Sequence, residues 1–203
     1  MQGMHSYAVN NDRLKCYVII GIICALLAPV TYELLKKATF LSSLEPWVST
    51  SISFGTLYAA TFAFYNKVAW KWSSLKFIGL PVTANLNGTY EGKLTSSYKK
   101  TEIPIKIDIV QNWTKLVVYL ETGTDSSDSY SYMASIFDID GKSSRLAYSY
   151  TNNPFNVIAD TDMHPHDGTV NLVFRNDNPK IMGKYFNARQ RVGTIALKKK
   201  NQV

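Results

Sequence analysis

The chain has 203 residues, a formal net charge of +7, a pI near 9.3 and a mean hydropathy of −0.10. Its apolar residues are concentrated in two runs, 14–35 and 47–65, whereas residues 81–203 are polar and alternate in character. This uneven distribution excludes a single soluble globule. Both cysteines, Cys16 and Cys24, lie in the first apolar run. The polar part therefore has neither a disulfide scaffold nor a cysteine-ligated zinc site.

The first apolar run is long enough to cross a membrane. Its 22 residues reach roughly 33 Å as a helix, and the hydrocarbon core of a bilayer is about 30 Å thick. Arg13 and Lys15 stand at its start, and Lys36 and Lys37 follow it directly. A cleaved signal peptide is the alternative, but it has a shorter apolar stretch and a small-residue cleavage site. We predict an uncleaved transmembrane helix over 14–35.

The second apolar run is weaker but carries small residues at a spacing of four. They are Ser51, Gly55, Ala59 and Ala63. This spacing predicts a helix face that another helix can approach closely, although small residues are also common in membrane helices generally. We predict a second transmembrane helix over 47–65, joined to the first by a short hairpin loop. The two helices form a predicted membrane domain over 1–77.

Basic residues near the helix ends predict the orientation of this hairpin. Five lie outside its tip, namely Arg13, Lys15, Lys67, Lys71 and Lys76, and two lie in the tip, Lys36 and Lys37. Because positive charge is retained on the cytoplasmic side, this distribution predicts a multi-pass protein with both termini in the cytoplasm. The absence of cysteine from the polar domain fits a reducing compartment.

From Gly88 onward, apolar and polar residues alternate, as they do in strands with one buried face. Turn signals such as Asp140-Gly141 separate eight predicted strands. They cover 87–97, 101–111, 113–121, 129–138, 143–151, 167–176, 180–187 and 191–200. Eight sequential strands with mostly hairpin-length connections predict an all-β domain over 78–203 that is an antiparallel, up-and-down, lipocalin-like barrel. A β-sandwich is the alternative.

Basic residues also accumulate near the end of the chain. Residues 180–200 contain seven of them and no carboxylate: Lys180, Lys184, Arg189, Arg191, Lys198, Lys199 and Lys200. A carboxylate-free basic strand pair suits an anionic partner such as a phosphate, although a solvated face or a strand near anionic lipid would look the same. Tyrosines on the strands could stack on nucleobases, but tyrosine also packs any half-exposed sheet.

The chain carries no recognisable catalytic motif, since a nucleophile elbow, a Walker-type phosphate loop and a zincin motif are all missing. The densest group of possible metal ligands comprises Asp160, Asp162, His164, His166 and Asp167. They are local to one loop marked by Pro165 and Gly168, so a hydrogen-bonded turn is the simpler interpretation, with His166 near a ligand pocket as a further one. We predict no catalytic site, no metal site and no cofactor.

Three short motifs follow the predicted membrane hairpin in a fixed order. They are Leu86-Asn-Gly-Thr-Tyr-Glu-Gly-Lys93, His166-Asp-Gly-Thr169 and Gly183-Lys-Tyr-Phe-Asn-Ala-Arg-Gln-Arg-Val-Gly-Thr194. With this order, the chain resembles the two-transmembrane, β-strand-rich effectors of bacterial CBASS anti-phage systems over nearly its whole length. The resemblance implies a barrel that binds a cyclic dinucleotide made by a partner nucleotidyltransferase. It further implies homo-oligomerisation of the hairpins, disruption of the inner membrane and death of the infected cell.

A ligand with two phosphates and two bases needs cationic groups and aromatic rings. Arg189 and Arg191 are the predicted phosphate contacts, because residues two apart point the same way on a regular strand. The predicted stacking rings are Tyr90, Tyr150 and Tyr185, and the predicted hydrogen-bonding side chains are Asn152, Asn187 and His166. We expect no nucleic acid polymer as partner. The alternative function is a membrane-anchored lipocalin-like carrier or sensor of a small apolar ligand. An enzyme on a β-barrel is disfavoured, because the sequence has no paired acid/base motif.

Overall fold

The structure is a computed structural model that describes residues 3–35, 46–98, 100–123, 127–139, 142–154 and 165–200. It divides into two compact units. One is the helical unit, Asn11–Val82, and the other is the β-unit, formed by Met1–Asn10 together with Thr83–Val203. The sequence predicted a membrane domain over 1–77, so the first ten residues fall in a different unit from the one expected.

The helical unit contains two long helices, α1 over Arg13–Leu35 and α2 over Pro46–Lys67. Two short 3-10 segments, Ala69–Lys71 and Ser73–Ile78, follow α2. Both long helices lie where the apolar runs predicted them. Among the described residues, one helix is long and apolar enough to cross a membrane, Arg13–Leu34. The second predicted span coincides with a helix, and its crossing of the membrane stays a prediction.

The β-unit contains nine described strands. They are β1 over His5–Val9, β2 over Gly88–Ser96, β3 over Glu102–Gln111, β4 over Lys115–Thr122, β5 over Ser127–Asp138, β6 over Ser143–Pro154, β7 over His166–Arg175, β8 over Asn178–Asn187 and β9 over Val192–Lys199. Strands β2 to β9 match the eight predicted strands to within three residues at every end. Strand β1 was not predicted.

The sheet closes on itself into a barrel. Each strand from β2 to β9 pairs antiparallel with the next one in sequence, and β9 returns to pair with β2. The pairing of β4 with β5 is short, because it joins only residues 119–121 to residues 128–130. Beyond that point β1 lies between the two strands, antiparallel to β4 and parallel to β5. We call this gap, with β1 in it, the β4–β5 seam.

The inward-facing side chains of the strands form one apolar core. Ile107, Leu146, Leu172, Ile195 and Leu197 are each at most 1% exposed, and they come from four different strands, β3, β6, β7 and β9. The alternation that predicted the strands thus also predicted which faces are buried. One end of the barrel interior is left partly open, and that end holds the candidate site.

Candidate ligand-binding cavity of the barrel

A cavity opens at one end of the barrel. Its lining residues come from the middle or end of β2, β4, β6 and β8, from the first half of β3, β5, β7 and β9, and from the turn between β8 and β9. The cavity and its open mouth together hold about 880 Å³ of space free of protein atoms. Among the described residues that line it, none is an aspartate or a glutamate, whereas two are arginines. The cavity therefore favours an anionic ligand.

Seven of the eight predicted binding residues line this cavity. They are Tyr150, Asn152, His166, Tyr185, Asn187, Arg189 and Arg191. The structure thus brings together residues that are up to 41 positions apart in the sequence, from β6, β7, β8 and the turn before β9.

Tyr90 is the exception and does not line the cavity. It lies near the start of β2, and the cavity is bounded by the end of that strand. Its ring packs edge-on against Phe174 at a centroid distance of 5.6 Å, and its hydroxyl donates a 2.8 Å hydrogen bond to the Leu86 carbonyl. Tyr90 faces inward as strand alternation requires, but at the wrong height along the barrel. The structure therefore does not bring Tyr90 together with the other seven residues, and its stacking role stays a prediction.

The two arginines reach the cavity from the turn between β8 and β9 rather than from a regular strand. Asn187 organises this turn. Its side-chain oxygen accepts hydrogen bonds from the backbone N–H groups of Arg189, at 3.1 Å, and Arg191, at 3.0 Å. An asparagine side chain that bonds the backbone ahead of it fixes a turn locally. Strand parity was thus the wrong reason for placing both arginines together, and the Asn187 turn is the physical one.

Arg191 also stacks on an aromatic ring. Its guanidinium carbon lies 4.0 Å from the centroid of Tyr98, which follows the end of β2. A guanidinium over a ring face is held there by a cation–π interaction. This contact orients one of the two cationic groups at the mouth of the cavity.

Two glycines make room for the tyrosines of the cavity wall. A Cβ atom at Gly168 would collide with the Tyr150 ring and the Phe186 carbonyl, and one at Gly193 would collide with the Tyr185 ring and the Thr95 carbonyl. Both glycines belong to the short motifs that carried the family resemblance. Their role is therefore to let two rings lie close to the neighbouring backbone.

Small polar side chains complete the wall, and sequence reasoning missed them. The Ser129 hydroxyl donates a 2.9 Å hydrogen bond to the Asn152 side-chain oxygen, and the Tyr185 hydroxyl donates to Ser96 at 2.9 Å. Ser96 and Ser129 both occupy buried, inward-facing positions of their strands, β2 and β5. A buried serine at an inward position of a strand was the signal that could have identified them.

Burial changes the acidity of the cavity tyrosines. Removal from water raises the pKa of Tyr150 to about 12, with a smaller contribution from the nearby Tyr185, and burial likewise raises the pKa of Tyr148. The same cause raises the pKa of Tyr90 to about 12. These phenols are protonated at neutral pH, and the Tyr90 hydroxyl donates the hydrogen bond to the Leu86 carbonyl described above.

These shifts predict an alkaline loss of stability. A phenol whose folded-state pKa exceeds the unfolded value stabilises the fold fully below the unfolded pKa of about 10, and that stability is lost as the pH rises towards 12. We expect the melting temperature of the β-unit to be flat from pH 7 to 9 and to fall above pH 10. Circular dichroism melts measure this. In the variant Tyr150→Phe the fall should be shallower; an identical fall would contradict the assignment.

The predicted absence of a metal site concerns a loop that is only partly described. Asp160, Asp162 and His164 lie outside the described residues. In the described part of the chain, no group of three or more histidine, cysteine or carboxylate side chains could hold a metal ion. His166 and Asp167 stand at the start of β7, where His166 pairs across the strands with Asn152.

Comparison with known proteins agrees with this geometry. The family profile described as "Cap15, cyclic dinucleotide receptor domain" matches residues 82–199. The chain is also 31% identical over 208 residues to CD-NTase-associated protein 15 of Yersinia aleksiciae, an alignment that covers 95% of this chain and 96% of that protein. This chain belongs to the Cap15 family. Membership confirms the resemblance to CBASS effectors that the order of the short motifs predicted.

The Cap15 domain match bears directly on the cavity. Its range of 82–199 covers β2 to β9 and includes every described residue that lines the cavity. It begins at the end of the helical unit, so it leaves out both long helices and β1. The receptor domain of the family is therefore the part of the barrel that holds the candidate site.

Proposed function

We propose that this chain is a non-enzymatic CBASS effector whose barrel binds a cyclic dinucleotide supplied by a CD-NTase. The observation that carries the proposal is the cavity itself, in which Arg189 and Arg191 line one wall with Tyr150 and Tyr185, and no carboxylate is among its described lining residues. Guanidinium groups pair with phosphates, and aromatic rings stack on bases of any identity. The match of the Cap15 cyclic dinucleotide receptor domain to this part of the chain supports the same ligand class.

The ligand groups can be assigned to the two sides of the mouth. We assign the phosphates to the β8–β9 turn, because the Asn187 side chain fixes the backbone at Arg189 and Arg191 there. The bases are placed against the rings of Tyr150 and Tyr185, with Asn152 and His166 as hydrogen-bonding partners for base edges. Tyr90 has no part in this assignment, because it lies outside the cavity.

The helical unit is proposed to be a transmembrane hairpin in the bacterial inner membrane. Helix α1 has the length and composition of a span. Strand β1 precedes α1, yet it belongs to the same barrel as β2 to β9, which follow α2. A chain that leaves the barrel and crosses the membrane must therefore cross back before residue 83. This supports α2 as the returning span, with both termini on one side, which the basic residues predict to be the cytoplasm.

Ligand binding is proposed to cause self-association of these hairpins, loss of the inner-membrane barrier and abortive infection. The small-residue face of α2, formed by Ser51, Gly55, Ala59 and Ala63, is exposed in the single chain. In contrast, a Cβ at Gly21 of α1 would contact Tyr58 of α2, so that glycine is used within the helix pair. The α2 face thus remains available to another copy. A ligand drives such association only if the assembled state binds it more tightly.

The proposal is tested with the full chain in dye-loaded vesicles of phosphatidylethanolamine and phosphatidylglycerol. Cyclic di-AMP, cyclic di-GMP and cyclic GMP-AMP serve as probes, and oleic acid serves as the probe of an apolar-ligand carrier. We expect calorimetric binding of at least one cyclic dinucleotide and dye release that depends on it. Binding of oleic acid together with no binding of any cyclic dinucleotide would overturn the proposal in favour of the carrier.

The small-residue face gives a prediction for the assembly step. Replacing Gly55 by leucine should leave ligand affinity within about twofold and abolish ligand-dependent dye release, because a bulky side chain keeps neighbouring helices apart. Ala60→Leu is the matched control, since Ala60 is also exposed but lies off this face. It should release dye as the wild type does. Undiminished release by Gly55→Leu would show that the helices meet elsewhere.

A further inference from the structure

Strand β1 is tied into the barrel along its whole length. His5 and Ser6 pair with β4, and Tyr7 to Val9 pair with β5. The Tyr7 side chain is only 4% exposed. The Tyr7 hydroxyl donates a 3.1 Å hydrogen bond to the Asn112 carbonyl and accepts one of 3.1 Å from the Gln111 amide. A five-residue strand held by two neighbours and a buried ring is a fixed part of the wall rather than a loose end.

The first residue of β1 shares a partner with the cavity wall. His5 Nε2 lies 2.8 Å from the Ser131 hydroxyl oxygen, in a hydrogen bond. The same oxygen accepts a 2.9 Å hydrogen bond from the backbone N–H of Val118, and Val118 lines the cavity. Ser131 also borders the irregularity at which β5 stops pairing with β4 and begins to pair with β1. Ser129, two residues earlier, faces the cavity.

The last residues of β1 lead directly to the first long helix. Only three residues, Asn10 to Asp12, separate the end of β1 from the start of α1, so the connection spans at most about 10 Å. Asn10 fixes the strand end by a reciprocal pair of hydrogen bonds with the backbone of Asp138, at 3.0 and 3.2 Å. Only three residues are therefore available to absorb a displacement of β1 before α1.

Gln111 forms hydrogen bonds to both segments of the β-unit that connect to the helical unit, β1 before α1 and residues 84–86 after α2. Its side chain is buried at the end of β3 and donates to the Tyr7 hydroxyl and to the Ala84 carbonyl, each at 3.1 Å. Its side-chain oxygen accepts a 2.8 Å hydrogen bond from the Leu86 N–H. The strand that enters α1 and the segment that returns from α2 are thus joined through one amide at the barrel end opposite the cavity.

We propose that β1 is a coupling strand, which stays docked in the β4–β5 seam and carries ligand occupancy of the cavity to α1. This rests on the proposed function, because it assigns a route from the same cavity to the membrane. The route runs from the cavity wall through Ser131 and His5 along β1 to α1, and Gln111 positions its far end. It requires that the connection from β1 to α1, Asn10 to Asp12, stay short.

The test lengthens that connection. A Gly-Ser-Gly insertion between Asn10 and Asn11 lengthens the connection from β1 to α1 and leaves the pairing of β1 with β4 and β5 unchanged, because that pairing involves only His5–Val9. We expect ligand affinity within about twofold of the wild type and dye release reduced to the ligand-free level. The same insertion between Asn176 and Asp177, in the exposed β7–β8 turn, is the control and should leave release intact. Normal release by the Asn10 insertion, or loss of its ligand binding, would overturn the proposal.

A cross-link tests whether the strand stays docked. Ser6 and Lys115 are directly paired on β1 and β4, and both are exposed. Antiparallel partners of this kind have Cα separations that a disulfide can bridge. The double variant Ser6→Cys, Lys115→Cys should release dye equally well when oxidised and reduced. Release only after reduction would show that β1 must leave the seam, and would overturn the proposal. A wild-type chain that binds no cyclic dinucleotide would instead refute the proposed function itself.

Discussion

Replacing Arg189 by alanine should lower the affinity of the full chain for its cyclic dinucleotide by about tenfold to a hundredfold. A hydrogen bond to a charged group contributes about 1.5–3 kcal/mol, and the phosphate would lose one such partner. Only one arginine, Arg191, would remain among the described residues that line the cavity. Titration calorimetry of the chain in nanodiscs measures the change. Arg191→Ala should have a similar effect and should also free the ring of Tyr98, because the stacked pair is lost.

Lys184→Ala is the matched control for this charge loss. Lys184 precedes Tyr185 on β8, so it points to the outside of the barrel, and it is exposed. Its removal takes away the same formal charge from the same hairpin without touching the cavity. We expect its affinity to stay within about twofold of the wild type. Equal losses in Arg189→Ala and Lys184→Ala would mean that net charge alone, and not phosphate pairing, determines binding.

Replacing Gly168 by alanine should damage both the fold and the site. The added methyl group would meet the Tyr150 ring and the carbonyl of Phe186, and backbone cannot move aside cheaply. Overpacking of this kind costs about 1–3 kcal/mol. We expect a lower melting temperature together with weaker ligand binding, because the displaced ring is one of the two proposed stacking platforms. Thermal melts and calorimetry on the same preparation measure both effects.

Thr169→Ala separates this effect from a general weakening of β7. Thr169 is the next residue on the strand and is exposed on the outer face. Its truncation should change stability by less than about 0.5 kcal/mol and should leave binding unchanged. A Gly168→Ala variant that melts and binds like the wild type would show that Tyr150 has room to move, and would remove the proposed reason for a glycine at this position.

The strands of the barrel were predictable because their residues report the local environment. Alternation marked each inward face, and glycine, asparagine and aspartate marked the turns, so β2 to β9 emerged within three residues at every end. Strand β1 could not emerge in this way. Its five residues, His5–Val9, are too few to show a period, and they pair with strands more than 100 residues later in the sequence. Only the closed sheet shows where the segment belongs.

The candidate site was predictable in kind rather than in position. Alternation says whether a side chain faces inward, and this brought Tyr150, Asn152 and Tyr185 into the cavity. It does not say how far along the barrel axis a residue lies, so it grouped Tyr90, which lies near the start of β2, with residues that line the cavity at the other end of that strand. The arginines belong to a turn whose shape depends on the side chain of Asn187, which no periodicity encodes.

The position of β1 changes how the barrel could be prepared without its helices. A fragment that starts after Val82 would lack β1, one of the nine described strands. Residues 134–136 of β5 would then lose their backbone pairing with β1 and keep only their pairing with β6. Open strand edges recruit strands from other molecules, so such a fragment should tend to aggregate or to form adventitious dimers. Excising Asn11–Val82 and joining Asn10 to Thr83 through a short linker would instead preserve all nine described strands.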